Sequence, residues 1–88
     1  MVIELNGREL RDHASAHDYL KAQLDLPDYY GRNLDALYDL LTECGEPTQI
    51  TLHHVDDMEQ QLGPYAGALT EVLRAAADSN PNLTFIWD

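Results

Sequence analysis

The sequence predicts an α/β fold in which a three-stranded parallel sheet packs against three or four helices. Short apolar or alternating segments, which are typical of strands, occur near the beginning, the middle and the end of the chain. Helical patterns separate these segments, and strands separated by helices favour a parallel sheet with right-handed crossovers. The 88 residues, of which 44% are apolar or aromatic, are expected to form a single domain spanning 1–88.

The first predicted elements are a strand and a helix. Residues 2–6 alternate apolar and polar side chains and end at a glycine, which indicates a short strand. Leucines at helical spacing predict a first helix over residues 15–25. Ser15 is followed three residues later by Asp18, which resembles a capping box with the shorter acid. Pro27 ends this helix, because proline cannot continue the backbone hydrogen-bond pattern.

The next segment is a loop that leads into a second helix. Residues 27–32 form the loop, and Gly31 is expected to permit a sharp turn of the chain. Asn33 is a good N-cap for a helix over residues 34–44. Leucines at positions i, i+3 and i+7 of this helix predict the face that packs against the core.

The second half of the chain repeats the alternation of strand and helix. Residues 48–55 are rich in β-branched side chains and alternate, so they predict a second strand. A short third helix is predicted in the segment DDMEQQLGPYAG, where Gly63 and Pro64 stop it. A fourth helix is predicted over residues 65–79, and the nearly all-apolar residues 83–88 predict a final strand.

The chain is strongly acidic. Sixteen Asp and Glu residues face five Lys and Arg residues, which gives a net charge of -11. Such a charge repels nucleic acid and anionic membranes and attracts basic proteins with fast, salt-sensitive association. We therefore expect a basic protein partner, no nucleic acid and no membrane. Composition alone leaves open the alternative that the acidity only aids solubility.

The cysteine content and the N-terminal residues bear on location. Cys44 is the single cysteine and cannot form an internal disulfide, which argues for a reducing compartment. The N-terminal residues MVIELNGREL carry charges and no long apolar run, so neither a signal peptide nor an anchor is expected. We expect a cytoplasmic protein that is a monomer when free.

Two acids on the second helix lack a local partner. Asp35, Tyr38, Asp39 and Thr42 lie at i, i+3, i+4 and i+7, on one face beside the leucines. Asp35 complements the helix dipole from the first turn, whereas Asp39 lies one turn deeper. Like charges one turn apart destabilise a helix by roughly 0.2–0.5 kcal/mol. The face is either a solvated polar surface or a binding surface.

Tyrosines close to these acids favour a binding surface. Tyr29 and Tyr30 lie in the loop before the helix, and Tyr38 lies on the helix itself. Exposed aromatic residues beside charges are typical of interface hot spots. Tyr30 is expected to be partly in the core, whereas a core position and a surface position both remain open for Tyr38.

The segment LDLPDYYGRNLDALYDLLTE, residues 24–43, resembles the signature of the barstar family. Members of this family are intracellular protein inhibitors of barnase-type ribonucleases. The resemblance extends to the VIELNG start, to the helix over residues 65–79 and to the LTFIWD end, so it covers essentially the whole chain. It implies a barstar-like fold with the same order of strands and helices. It also implies an inhibitor that is not an enzyme and needs no cofactor and no metal.

The resemblance further implies how the protein acts. In the family, the second helix and the loop before it plug the ribonuclease active site. Asp39 would take the place of a substrate phosphate, and Asp35 would bind nearby basic and backbone groups. Tyr29 would stack on the catalytic histidine of the nuclease, and Thr42 would add a hydrogen bond. The implied partner-binding residues are Tyr29, Asn33, Asp35, Tyr38, Asp39, Thr42 and Glu43.

The chain departs from the family pattern at the rim of this surface. Tyr38 stands where the best-known member has tryptophan, and Glu43 and Cys44 replace a Gly-Trp pair. On the fourth helix, Ala75 occupies the position of an acidic contact, with Asp78 close by. A barnase-like ribonuclease other than barnase itself, or another basic partner, fits these changes equally well.

Two further functions are alternatives to inhibition. The first is a regulatory interaction module that keeps the scaffold and binds another basic protein. The second is a metal-dependent hydrolase that uses residues 53–57, although adjacent histidines in a strand point to opposite faces. His13 and His17 have i, i+4 spacing, but the first helix is expected to begin after His13. Catalysis by the Asp35 and Asp39 pair, or by Cys44, is not favoured, because no deep pocket or nearby base is predicted.

Overall fold

Residues 1–87, the part of the chain that the computed structural model describes, contain three strands and four α-helices. Two α-helices lie between each strand and the next. The elements are β1 (Val2–Asn6), α1 (His13–Leu24), α2 (Leu34–Thr42), β2 (Thr48–His53), α3 (Val55–Leu62), α4 (Pro64–Ser79) and β3 (Leu83–Trp87). A short 3-10 turn over Gly7–Glu9 joins β1 to α1. The predicted α/β class is confirmed, as is the number of strands. None of the helices in residues 1–87 is both long and apolar enough to cross a membrane.

The sheet is parallel throughout and has the strand order β1-β2-β3. Ile50 of the central strand is aligned with Ile3 on one side and with Phe85 on the other. Alternate residues of β2 are buried, because helices cover one face of the sheet. The opposite face carries Glu4 and Ile86, which are exposed. A three-stranded sheet with one buried face therefore positions all four helices on the same side.

The core lies between the sheet and the helices. It contains leucines from every layer, and those that are at most 1% exposed are Leu5, Leu10, Leu20, Leu37, Leu52, Leu69 and Leu73. Helix α2 packs against α4 and contributes Leu37 and Leu41 to this core. The burial of these two side chains determines which face of α2 remains in water.

Helix α1 begins two residues earlier than predicted. A carboxylate oxygen of Asp12 accepts a hydrogen bond from the Ser15 backbone at 2.8 Å, and the Ser15 hydroxyl accepts one from the Asp12 backbone at 3.1 Å. This reciprocal pair is the capping box, so the prediction that Ser15 and Asp18 form it was wrong by one turn. These hydrogen bonds also lower the pKa of Asp12. The prediction that His13 precedes the helix was wrong for the same reason.

The other boundaries differ from the prediction by one or two residues. Helix α2 ends at Thr42, and β2 ends at His53, because His54 adopts a left-handed backbone with a φ of 59° that starts α3. The predicted third helix is present as α3, and Gly63 separates it from α4. The last position of the predicted final strand, residue 88, lies outside the described residues.

Candidate partner-binding surface

Helix α2 is held at its N-terminus by the asparagine that precedes it. The Asn33 side-chain oxygen accepts a hydrogen bond from the Ala36 backbone at 2.8 Å, and its amide donates one to the Gly31 carbonyl at 3.1 Å. The predicted N-cap is confirmed. The cap satisfies a backbone donor that the helix itself cannot satisfy.

The sharp turn before the cap is made by Arg32 and not by Gly31. Arg32 has a φ of 55°, and Gly31 is not among the residues with positive φ. A Cβ atom on residue 31 would lie 3.1 Å from the Asn33 side-chain nitrogen. A side chain at residue 31 would therefore crowd the cap, whereas the left-handed backbone falls on Arg32, whose side chain pairs with Asp18.

The two acids of α2 lie on the face opposite its buried leucines. Asp35 and Asp39 are both exposed, and Leu37 between them is 0% exposed. The Thr42 hydroxyl donates a hydrogen bond to the Asp39 carbonyl at 3.0 Å, so the threonine lies on the same side of the helix. Glu43, which is exposed, follows directly at the C-terminal end.

Helix α4 and the turn after it hold the C-terminal end of α2. The Tyr38 hydroxyl lies 3.0 Å from the Ser79 hydroxyl, and its ring is half-buried. The buried Asn80 amide donates to the carbonyls of Leu41 and Cys44, each at 2.9 Å. Tyr38 thus combines the two positions that remained open in the sequence, since its ring is half-buried and its hydroxyl reaches the surface. Both ends of α2 are therefore held in place by side-chain hydrogen bonds.

The charge on this surface has no counterpart within residues 1–87. Every Lys and Arg of the chain pairs with an acid elsewhere, in the pairs Arg8–Asp57, Arg11–Glu9, Lys21–Asp28, Arg32–Asp18, Arg74–Glu71 and Arg74–Asp78. None of these ion pairs involves Asp35, Asp39 or Glu43. All five bases therefore pair with acids outside α2, and the acidic face of α2 has no ion-pair partner among the described residues.

A groove lies between α2 and the loop before it. It has a volume of about 270 Å³ and is lined by Tyr29, Tyr30, Gly31, Ala36, Asp39, Leu40 and Glu43. Tyr29 is 79% exposed, whereas Tyr30 is 4% exposed, so the predicted core position of Tyr30 is confirmed. The fold thus brings an exposed aromatic ring and two unpaired carboxylates to the walls of one groove.

A second groove lies on the other side of α2, next to Asp35. It has a volume of about 470 Å³, and its walls are His13, Asn33, Leu34, Asp35 and Tyr65. The rings of His13 and Tyr65 meet edge to face, with centroids 4.6 Å apart. No local sequence pattern predicts Tyr65 at this surface, because it comes from α4 and reaches the surface only through tertiary packing.

A buried histidine lies beneath the loop. His17 is 1% exposed, and its Nδ1 atom lies 2.5 Å from the Tyr30 hydroxyl. Its Nε2 atom lies 2.6 Å from the Tyr65 hydroxyl. Burial, together with the nearby His13 and Arg32, lowers the pKa of His17. Burial raises the pKa of both tyrosines, and Tyr65 adds to this effect on Tyr30.

The other candidate residues are His53, His54 and Cys44, and they do not come together in one metal-binding group. His53 lies 3.2 Å from a Glu4 carboxylate oxygen, and His54 lies 3.9 Å from one of Asp57. In the part of the chain that the structure describes, no three His, Cys, Asp or Glu side chains form a group that could hold a metal ion. The Cys44 sulfur lies 3.5 Å from the Thr48 hydroxyl.

Comparisons with known proteins agree with this architecture. The profile of the family described as Barstar (barnase inhibitor) matches residues 1–86. The protein named "Putative ribonuclease inhibitor YrdF" from Bacillus subtilis (strain 168) is 42% identical over 77 residues, which cover 86% of this chain and 85% of that protein. The residues matched by the family profile include those that line both grooves. The chain therefore belongs to the barstar family.

Proposed function

We propose that the protein inhibits a barnase-type ribonuclease by inserting α2 and the loop before it into the basic active site. The observation that carries this proposal is the uncompensated charge of Asp35, Asp39 and Glu43 in a chain whose Lys and Arg residues are all paired elsewhere. The family and the name of the Bacillus relative point in the same direction, to an inhibitor and not to an enzyme.

The chemistry of an RNA-cleaving site explains why carboxylates suit this role. Such a site must present cationic groups that bind the phosphates of its substrate. A carboxylate accepts the same charge-assisted hydrogen bonds from Arg and Lys as a phosphate does, but it offers no phosphodiester bond to cleave. Asp39 lies between the acids Asp35 and Glu43 on the exposed side of a helix that is held at both ends, so it is the best placed to occupy a phosphate position.

The remaining residues of the surface surround Asp39. Tyr29 is the exposed aromatic ring that would stack on a flat group of the partner, such as a catalytic histidine. Asp35 would meet basic groups on one side of Asp39, and Glu43 would meet them at the rim of the other groove. Asn33, Tyr38 and Thr42 would contribute polar contacts around this centre.

The acidic contacts come from α2 and not from α4. Ala75 of α4 is half-buried, and the nearby acids Glu71 and Asp78 both pair with Arg74. The proposed target is therefore a ribonuclease whose basic groups are concentrated where α2 enters. Such a partner would associate quickly and in a salt-dependent manner with a chain of net charge -11.

The proposal includes the setting in which the protein acts. A single domain would bind the nuclease one to one as a monomer and would protect the cytoplasm of the producing cell. Its lone cysteine, which is free, is compatible with a reducing compartment.

Inhibition assays with a panel of barnase-type ribonucleases test the proposal. The protein should inhibit at least one of them competitively with RNA, because both occupy the same cleft. The inhibition should weaken between low and physiological salt. Inhibition that is not competitive with RNA would contradict the active-site mechanism. Tight binding to a basic protein without nuclease activity would instead indicate the regulatory module.

A further inference from the structure

Three side-chain pairs connect α1 to the loop of residues 27–33, which we call the binding loop. They are Lys21–Asp28, His17–Tyr30 and Asp18–Arg32. Alternate residues of the loop thus contact α1, and the exposed Tyr29 lies between two of them. The two outer pairs are ion pairs in which Asp28, Asp18 and Arg32 are exposed and Lys21 is half-buried, and ion pairs so open to solvent contribute little to stability. The central pair is buried, so it carries most of the restraint.

The histidine of the central pair also contacts a second helix, α4. His17 uses both ring nitrogens, one toward Tyr30 and the other toward Tyr65 of α4. A neutral imidazole has one donor and one acceptor, so one tyrosine hydroxyl donates to the ring and the other accepts from it. Among residues 1–87, no buried side-chain nitrogen or oxygen lacks a hydrogen-bond partner. The histidine orientation is therefore determined from two sides, and it transmits that orientation to the loop.

We propose that His17 and Tyr30 are positioning residues, which fix the binding loop in its partner-binding shape before any partner arrives. This inference rests on the proposed function only for what the loop binds. Tyr30 does not face the partner, since it is 4% exposed, whereas its neighbour Tyr29 is 79% exposed. Its role is to hold the backbone from which Tyr29 and Asn33 project.

A fixed loop has a direct effect on binding. Each flexible side chain or loop segment that becomes ordered on association lowers the affinity. A Tyr29 ring that already stands in place avoids this loss, and so does a helix cap that is already formed. Loss of the buried hydrogen bond should therefore weaken binding, although the Tyr30 side chain that makes it is almost completely buried.

Backbone order parameters of the free protein test the first half of the proposal. The amides of residues 28–33 should show values near ~0.85 in the wild type, as rigid backbone does. Tyr30→Phe should lower them toward ~0.6, because it removes the hydroxyl on the loop side of His17. Tyr19→Phe is the matched control, since it also removes a hydrogen-bonding tyrosine hydroxyl from the α1 region, one that accepts from the Asn6 backbone at 2.9 Å, outside the binding loop and both grooves.

Two outcomes of this measurement would overturn the proposal. One is a wild-type loop with order parameters below ~0.6, which needs no variant to be folded. The other is a Tyr30→Phe loop that is as ordered as the Tyr19→Phe loop.

Binding to a ribonuclease that the wild type inhibits tests the second half. Tyr30→Phe should bind about tenfold more weakly than Tyr19→Phe, because the loop must then be ordered on association. Equal affinities of the two variants would refute the positioning role. If the wild type inhibits no ribonuclease, the proposed function fails, while the order parameters still decide whether His17 and Tyr30 fix the loop.

Discussion

Replacing Asp39 by asparagine should stabilise the free protein. Asp39 has an acid one turn before it, Asp35, and another one turn after it, Glu43. None of the three has an ion-pair partner among the described residues. Asp39 also lies in the last turn of α2, where a negative charge opposes the helix dipole. The two neighbouring acids and the helix dipole therefore all disfavour the charged Asp39 carboxylate in the free protein.

The magnitude follows from these local effects. Each like-charge pair at i, i+4 costs about 0.2–0.5 kcal/mol, and an acid at the wrong end of a helix costs about 0.3–1 kcal/mol. Because Asp39 is exposed, solvent screening reduces the total, and we expect Asp39→Asn to raise the free energy of unfolding by roughly 0.5–1.5 kcal/mol. Asparagine and aspartate have similar helix propensities, so the charge accounts for the difference.

Urea denaturation of the free protein at pH 7 measures this effect. Glu71→Gln is the matched control, because it removes one negative charge as well, but from a carboxylate that pairs with Arg74. The control should be unchanged or destabilised by a few tenths of a kcal/mol, about the value of a helical ion pair. The gain from Asp39→Asn should shrink in 1 M NaCl, where the screening length is about 3 Å. Destabilisation by Asp39→Asn would refute the reasoning, since it would mean that the carboxylate has a favourable partner in the free protein.

Three further predictions concern the fold. Gly7→Ala should cost about 3 kcal/mol or more in urea denaturation, because a Cβ there would meet the backbone carbonyl oxygens of His54 and of His53, the latter at 2.7 Å; a loss below about 1 kcal/mol would contradict this packing. Asn80→Ala should cost about 2–3 kcal/mol in the same assay, since it removes buried hydrogen bonds to Leu41 and Cys44; an unchanged midpoint would contradict their importance. Stability should fall as the pH drops below about 6.5, the usual pKa of histidine, because burial lowers the pKa of His17 and the unfolded chain then binds more protons. His17→Gln should flatten the pH dependence in this window, and an equal slope in both proteins would contradict the assignment.

The parts of the fold that could be predicted are those that depend on neighbouring residues. The Asn33 cap and the leucine face of α2 are local patterns, and both are present in the structure. The start of α1 differs from the prediction because Ser15 can act either as the first residue of a capping box or as its fourth, the N3 position. The structure shows the second, with Asp12 as the cap.

The parts that could not be predicted depend on contacts between distant segments. Tyr65 joins the second groove and the His17 cluster from 48 positions along the chain. The sequence showed His13 and His17 only as a spacing, and their aromatic surroundings arise from the packing of α1 against α4 and the loop. Likewise, the unpaired state of Asp39 depends on the folded structure, because there each of the five bases lies beside another acid.

The stability prediction and the proposed function both follow from one feature, the lack of an ion-pair partner for Asp39 among the described residues. Under the proposed function, the counter-charges that Asp39 lacks in the free molecule are supplied by the partner. A substitution there should therefore stabilise the free protein and weaken the complex, whereas a residue with a purely structural role would affect both in the same direction.

The most direct test of the central claim is the inhibition constant of Asp39→Ala against a ribonuclease that the wild type inhibits. Glu59→Ala is the control, because it also removes one exposed acid, from α3, away from both grooves beside α2. If Asp39 occupies a phosphate position, its substitution should weaken inhibition by about 2 kcal/mol or more, which is at least about thirtyfold. The Glu59→Ala variant should remain close to the wild type. Equal inhibition by Asp39→Ala and Glu59→Ala would contradict the claim, because only the overall charge of the chain would then matter.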